Sequence, residues 1–114
     1  MSPDKAYLKH ILDAISKIET YTKGLDKEQF LGRNNEITRD AVIRQFEIIG
    51  EAVGRLSGEI KKTNSTLLWR DISDMRNKLI HEYFGVNSVV VWSTVQNDLP
   101  TLKRAIEQML KSTN

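Results

Sequence analysis

Side chains that together suit phosphodiester chemistry are concentrated between positions 76 and 83, in the stretch RNKLIHEY. Arg76 presents a planar fork of donors that binds phosphate oxygens, and His81 carries an imidazole that exchanges protons near neutral pH. Asn77 and Tyr83 add an amide and a phenol within the same eight residues. We therefore take these four residues as the candidate site.

The helix that must hold these residues is predicted from Leu67 to Phe84, a stretch without Gly or Pro. Its apolar side chains recur at helical spacing at Leu68, Ile72, Met75 and Leu79. At roughly 100° per residue, Asn77 and His81 lie about 40° apart, whereas Arg76 and His81 are separated by about 140°. A straight helix does not aim the latter two side chains at one point. A second copy, related by a two-fold axis, would help, which favours a composite site at a dimer interface.

The same residues also fit a less specific interpretation. An arginine and a histidine five positions apart are common on solvated helix surfaces, where charged side chains usually lie. Tyr83 would then be a packing residue at the edge of the apolar stripe, with its hydroxyl in water. Residue types alone leave these interpretations open.

A family resemblance favours the first interpretation. Arg76-x4-His81-x-Tyr83 resembles the Arg-x4-His-x-Tyr signature of HepT-type toxins in the HEPN superfamily. Further blocks resemble that family's middle helix, the start of its motif helix and its last helix: residues 44–52, 69–72 with 75–77, and 83–86 with 91–92 and 98–102. The blocks occur in order and extend from about Tyr7 to Leu110.

The resemblance implies a type VII toxin-antitoxin component: a helical dimer that cleaves RNA without a metal or other cofactor. Arg76 would bind the scissile phosphate and stabilise its developing charge, and His81 would act as general acid or base. Asn77 would orient His81 or the phosphate, and the RNA 2′-hydroxyl would be the nucleophile. The implied antitoxin is a nucleotidyltransferase that attaches AMP to Tyr83. Assembly beyond the homodimer stays open.

A rival hypothesis keeps the fold and the dimer but removes the catalysis. The chain would then be a helical interaction module, or a nucleotide-binding subunit of a nucleotidyltransferase complex. The sequence leaves this alternative open because motif residues do not report turnover.

The composition of the chain limits which partners it is expected to bind and which cellular compartment it suits. The chain has 114 residues, which we interpret as one helical domain spanning 1–114, and its 17 basic and 15 acidic residues give a net charge of +2. This balance does not predict nucleic-acid binding by bulk charge, so any RNA contact depends on local charge. The absence of cysteine excludes disulfides and thiolate metal sites and fits the cytoplasm. No apolar run approaches the roughly 20 residues that span a bilayer. DNA and membranes are not expected partners.

The hydrophobic pattern predicts an all-α fold, an antiparallel up-and-down bundle of four main helices plus short helical pieces. The first predicted helix runs from Ser2-Pro3-Asp4 to Gly24, with Ser2 as its cap and Asp4 at the favourable end of the helix dipole. A short helical turn at 26–31 before Gly32, a polar connector at 33–35 and a helix at about 36–56 follow. A loop at 57–65, the motif helix and a last helix capped by Asn87 or Ser88 complete the predicted elements. Val89-Val90-Val91 alone fits a strand, but the apolar spacing beyond it favours helix. Pro100 must kink that helix or begin a new segment.

The third helix carries two apolar stripes, one more than a single core face requires. The first comprises Ile37, Ala41, Ile48 and Ala52, and the second comprises Val42, Phe46, Ile49, Val53 and Leu56. Either both are buried within one bundle, or one joins a dimer contact where Gly50 and Gly54 permit close approach. Glu47 and Glu51 are interpreted as solvated charges, although Glu51 also has the spacing to pair with Arg44. His10 is interpreted as a surface histidine.

Overall fold

The computed structural model describes residues 3–64, 69, 72 and 87–113. These residues contain helices, turns and loops but no β-strand, which confirms the predicted all-α class. In chain order the helices are α1 (Pro3–Thr22), α2 (Lys27–Leu31), α3 (Glu36–Arg55), α4 (Gly58–Thr63), α5 (Ser88–Ser93) and α6 (Leu99–Ser112). A 3₁₀ turn at Arg33–Asn35 precedes α3, and a π-helical turn at Thr94–Asp98 joins α5 to α6. The predicted motif helix lies outside the described residues, except for Trp69 and Ile72.

Helix α1 forms where the apolar period predicts it. Its buried face repeats every three or four residues through Leu8, Ile11, Ala14, Ile15 and Ile18. Beyond its last residue, Thr22, the chain turns at Gly24, whose φ of +79° lies in the left-handed region that favours glycine. The predicted cap, Ser2, lies outside the described residues.

Helix α2 is held at both ends by side chains. Asp26 accepts from the backbone N–H of Gln29 at 2.8 Å, and the Gln29 side chain accepts from the Asp26 N–H at 2.9 Å, a reciprocal capping box. At the other end, the Arg39 guanidinium donates to the carbonyls of Phe30 and Gly32 at 2.7 and 2.6 Å. Arg39 belongs to α3, so these bonds fasten α2 to the third helix.

Helix α3 turns the second of its two stripes into the core. Val42, Phe46, Ile49 and Val53 are buried there. The first stripe is only partly covered: Ala52 is buried, Ala41 and Ile48 are half-buried, and Ile37 is 85% exposed. A bundle that buries both stripes within one chain is therefore incorrect at the start of α3.

The directions of the long helices follow from contacts between their ends. Asp4, at the start of α1, bonds to Ser57, just beyond α3. Glu19, near the end of α1, pairs with Lys103, near the start of α6, at 3.1 Å. Helix α1 is thus antiparallel to both α3 and α6, as an up-and-down arrangement requires. The complete four-helix bundle stays a prediction because it needs the motif helix.

The predicted loop at 57–65 is wrong, because this segment contains α4. Its Gly, Ser and Asn content suggested a loop, but the Ser57 hydroxyl accepts from the N–H of Ile60 at 3.2 Å and caps a short helix. Glu59 lies in the first turn and Lys61 and Lys62 in the last, which suits the helix dipole.

The last helical stretch resolves two alternatives. Asn87 caps α5, with its side-chain oxygen accepting from the N–H groups of Val89 and Val90 at 2.9 and 3.4 Å, so the valine run is helical. Pro100 lies in the first turn of α6, directly after the π-helical turn, so a new helical segment begins at the proline while the backbone stays helical across the junction. The preceding π turn carries the i to i−5 bond from the Leu99 N–H to the Thr94 carbonyl.

Apolar side chains from α1, α2, α3, α5 and α6 share one buried cluster. It includes Phe30 and, from the last stretch, Val91, Val95, Leu99, Leu102, Ile106 and Met109. Among the helices in the described part of the chain, none is long and apolar enough to cross a membrane.

Candidate functional site

The candidate residues Arg76, Asn77, His81 and Tyr83 lie outside the described residues. Their angular relations and the composite cleft therefore stay predictions. What the structure places are the elements on either side of them: α4 with Trp69 and Ile72 before position 76, and α5 after position 83.

On the preceding side, a polar contact fixes the start of α4 to the start of α1. The Asp4 carboxylate accepts from the Ser57 N–H at 2.8 Å and from the Ser57 hydroxyl at 2.6 Å. Asp4 is 9% exposed and Ser57 is exposed, so both bonds are partly buried. The sequence indicated only that Asp4 suits the helix dipole, because its partner is 53 residues away.

Trp69 closes the other end of α4. Its indole N–H donates to the carbonyls of Lys61 and Asn64, each at 3.2 Å. Carbonyls at a helix C-terminus have few partners within the helix, and the indole adds a donor to the Lys61 carbonyl, which also accepts from the Asn64 N–H at 3.3 Å, and to the Asn64 carbonyl beyond it. Trp69 and Ile72 are also half-buried against the core. In the sequence, Trp69 is recognisable only as part of a family block, and no pattern indicates this contact with α4.

On the following side, Asn87 caps α5, which packs on the core. Val91 is buried, and the Trp92 ring lies 5.1 Å from that of Phe30 in a tilted arrangement. This contact joins α5 to α2. The segment between 73 and 86 is thus bounded by Trp69 and Ile72 before it and by the Asn87 cap after it.

Charged residues on α3 form ordinary surface pairs. Arg44 pairs with Glu47 at 3.4 Å, and Glu51 pairs with Arg55 at 3.6 Å. The suggested pairing of Glu51 with Arg44 is not found, because each has an oppositely charged neighbour within one helical turn. In the described part of the chain, no three His, Asp or Glu side chains are grouped to hold a metal. His10 is exposed on α1, as predicted.

Comparison with known proteins identifies the family. A model of the family described as Ribonuclease HepT-like matches residues 11–109. The chain belongs to the HepT-like ribonuclease family, within the HEPN superfamily. The matched range contains the whole stretch from Arg76 to Tyr83 and both flanking elements.

Individual relatives agree with this assignment. The chain is 39% identical over 111 residues to a protein of Caldanaerobacter subterraneus provisionally named an RNase, covering 97% of each. It is 43% identical over 107 residues to a Thermococcus cleftensis protein provisionally named ribonuclease HepT, covering 94% of this chain and 96% of the relative. A Methanocaldococcus jannaschii protein, also provisionally named an RNase, is 38% identical over 107 residues, or 94% of this chain and 90% of its own length. No solved structure matches the chain.

Proposed function

We propose that this HepT-like chain is an endoribonuclease toxin that cleaves RNA through Arg76 and His81. The observation that carries the proposal is the family match over residues 11–109, which contains the complete Arg-x4-His-x-Tyr pattern. The identity of 38–43% to relatives provisionally named as ribonucleases extends over nearly the full length of this chain.

The chemistry needs only groups that the chain and RNA supply. The ribose 2′-oxygen attacks the adjacent phosphorus, and the bond from phosphorus to the 5′-oxygen of the next nucleotide breaks. His81 takes the 2′ proton or delivers a proton to the leaving 5′-oxygen, and water or the His81 of the second copy completes the other transfer, so that the products are a 2′,3′-cyclic phosphate and a 5′-hydroxyl. Arg76 binds the phosphate and stabilises the negative charge that develops on its oxygens. Asn77 orients His81 or the phosphate.

The purified chain is expected to cleave RNA in the presence of a chelator and to leave a 2′-deoxy substrate of the same sequence intact. The physical reason is that the attacking atom belongs to the substrate's own 2′-hydroxyl. The assay compares matched RNA and DNA oligonucleotides by gel electrophoresis with EDTA or with added magnesium. Cleavage of the DNA, or activity only with magnesium, would contradict this mechanism. Failure to cleave any RNA would favour the non-catalytic subunit.

A two-fold dimer is part of the proposal, and the first stripe of α3 supports it. Ile37 is 85% exposed, and Ala41 and Ile48 on the same face are only half-buried. We propose that a second copy packs on this face and brings its own Arg76–His81 segment to a shared cleft.

The dimer predicts an effect of charge on α3. Ile37→Lys is expected to weaken self-association at least about tenfold, because it sets a charge, and in the dimer two like charges, in an apolar contact. Sedimentation velocity over a micromolar concentration series measures this. Val90→Lys is the matched control, since Val90 is also an exposed apolar residue, 52% exposed, but belongs to α5 and not to α3. A wild-type chain that is monomeric at micromolar concentration would disprove the dimer. Equal weakening of self-association in both variants would disprove the assignment of the contact to the Ile37 face of α3.

Tyr83 is proposed as the AMP acceptor for a nucleotidyltransferase antitoxin. Attached AMP would add negative charge and bulk beside the cation that must receive RNA, so the modified chain is expected to lose cleavage while keeping its helical signal. Incubation with the transferase and ATP, followed by intact-mass and peptide mass spectrometry, locates the adduct. Tyr83→Phe is the control, because it removes only the acceptor hydroxyl. Adducts that persist in Tyr83→Phe would place the acceptor elsewhere.

A further inference from the structure

We infer that Asp4, Ser57 and Trp69 are positioning residues for the Arg76–His81 motif, acting through α4 as a strut. This inference rests on the proposed function for its catalytic consequence, but its structural part can be tested without RNA. None of the three side chains belongs to the signature itself.

The first end of the strut is fixed by a charge-assisted contact. The Asp4 carboxylate holds both the N–H and the hydroxyl of Ser57, at 2.8 and 2.6 Å. The same hydroxyl accepts from the N–H of Ile60 and so caps α4. Ser57 therefore joins the start of α1 to the start of α4, and removing its hydroxyl releases both the cap and one of the two contacts to Asp4.

The second end of the strut is fixed by the indole N–H of Trp69, which two carbonyl oxygens share. The Trp69 indole N–H reaches the Lys61 and Asn64 carbonyls, each at 3.2 Å, across the last turn of α4. The ring is half-buried against the core. A phenylalanine would keep an apolar ring there but leave both carbonyls without this donor, so the N–H can be tested separately from the packing.

The strut can affect the motif because it ends at Trp69, a few residues before Arg76. Trp69 is seven residues before Arg76, and Ile72, four before Arg76, also packs on the core. The position from which the chain proceeds to the motif therefore depends on α4, which in turn depends on Asp4. Catalytic groups must be held within about 0.5 Å of their productive positions, and a misplacement of about 1 Å can lower the rate about a hundredfold.

Ser57→Ala and Trp69→Phe test the strut, and Asp26→Ala is the matched control. Asp26 also caps a short helix, but that helix is α2. We expect kcat to fall about tenfold or more in the two strut variants, with KM changed less than about twofold, because a small misplacement of Arg76 and His81 weakens their interactions with the transition state more than the binding of the RNA ground state. We expect Ser57→Thr to restore kcat because it keeps the hydroxyl. A kcat loss of the same size in Asp26→Ala would show a general stability effect and overturn the inference.

Hydrogen–deuterium exchange on the same proteins, without RNA, separates this inference from the proposed function. Amides within 70–86 are expected to exchange faster in Ser57→Ala and Trp69→Phe than in the wild type, and at the wild-type rate in Asp26→Ala. If the wild-type chain cleaves no RNA, the proposed function fails, and the exchange result alone decides the structural part. Unchanged exchange within 70–86 in both strut variants overturns the inference whatever the activity.

Discussion

Arg76→Ala and His81→Ala are each expected to lower RNA cleavage by the purified chain at least about a hundredfold. A positioned acid or base contributes about 10² to 10⁴ in rate, and one electrostatic donor to a developing anion contributes about 10² to 10³. Both positions lie off the predicted apolar stripe of the motif helix, so the free energy of unfolding should change little. Single-turnover cleavage of a fluorescent RNA, with circular dichroism of each variant, measures both quantities.

The chain offers a matched control for each substitution. His10 is the other histidine and is exposed on α1, and Arg104 is an exposed arginine on α6. His10→Ala and Arg104→Ala should keep cleavage within about threefold of the wild type, as expected for surface positions away from the site. If His81→Ala stays active, or His10→Ala loses activity equally, the assignment of the general acid or base to His81 is incorrect.

Phe30→Ala is expected to lower the free energy of unfolding by about 3–5 kcal/mol, a large part of the roughly 5–15 kcal/mol typical of a whole domain. The Phe30 side chain is fully buried and its ring lies 5.1 Å from that of Trp92. The substitution therefore opens a cavity and removes an aromatic contact between α2 and α5. Urea unfolding followed by far-ultraviolet circular dichroism gives the difference.

Phe30→Leu provides the internal comparison for this cavity. It keeps most of the buried volume and should cost clearly less than Phe30→Ala, because the size of the residual void governs the penalty. Trp92 fluorescence reports whether the ring contact itself is lost. Equal effects of the two substitutions would show that the aromatic contact, and not the cavity, dominates at this position.

The long helices could be predicted from the sequence because their signals are local. Ile11, Ile15 and Ile18 lie at helical spacing, and Gly24 supplies a stop that needs a left-handed backbone. The helical period also outweighed the β-propensity of the valine run, and the Asn87 cap agrees with it. In these segments, residues within a few helical turns of one another are enough to define the helix.

Helix α4 could not be predicted because its determinants are distant. Six residues are too few to be stable as an isolated helix, so this one depends on Asp4 at one end and Trp69 at the other. Spacing alone likewise did not determine which charged side chains of α3 pair with each other. Glu51 had residues of opposite charge both within one helical turn and two turns away.

The proposed site could be predicted only as a set of residue types. Spacing gives angles around an ideal helix axis, but we propose that Arg76 and His81 converge only when a second chain is present, and one sequence does not specify how two copies pack. The exposed Ile37 narrows that choice to a face, which the periodicity of α3 had left open.

The π-helical turn at Thr94–Asp98 contains one residue more than a regular α-helix needs to cover the same turn. If one residue of this turn were deleted, Val91, Val95 and the residues of α6 would still lie in α-helical phase, but the Pro100 ring would then meet a carbonyl of the preceding turn. The extra residue and Pro100 therefore compensate each other, and a chain that loses only one of the two is expected to be less stable. Relatives with an uninterrupted helix at this point should lack both the proline and one residue, so the two differences should be inherited as one unit.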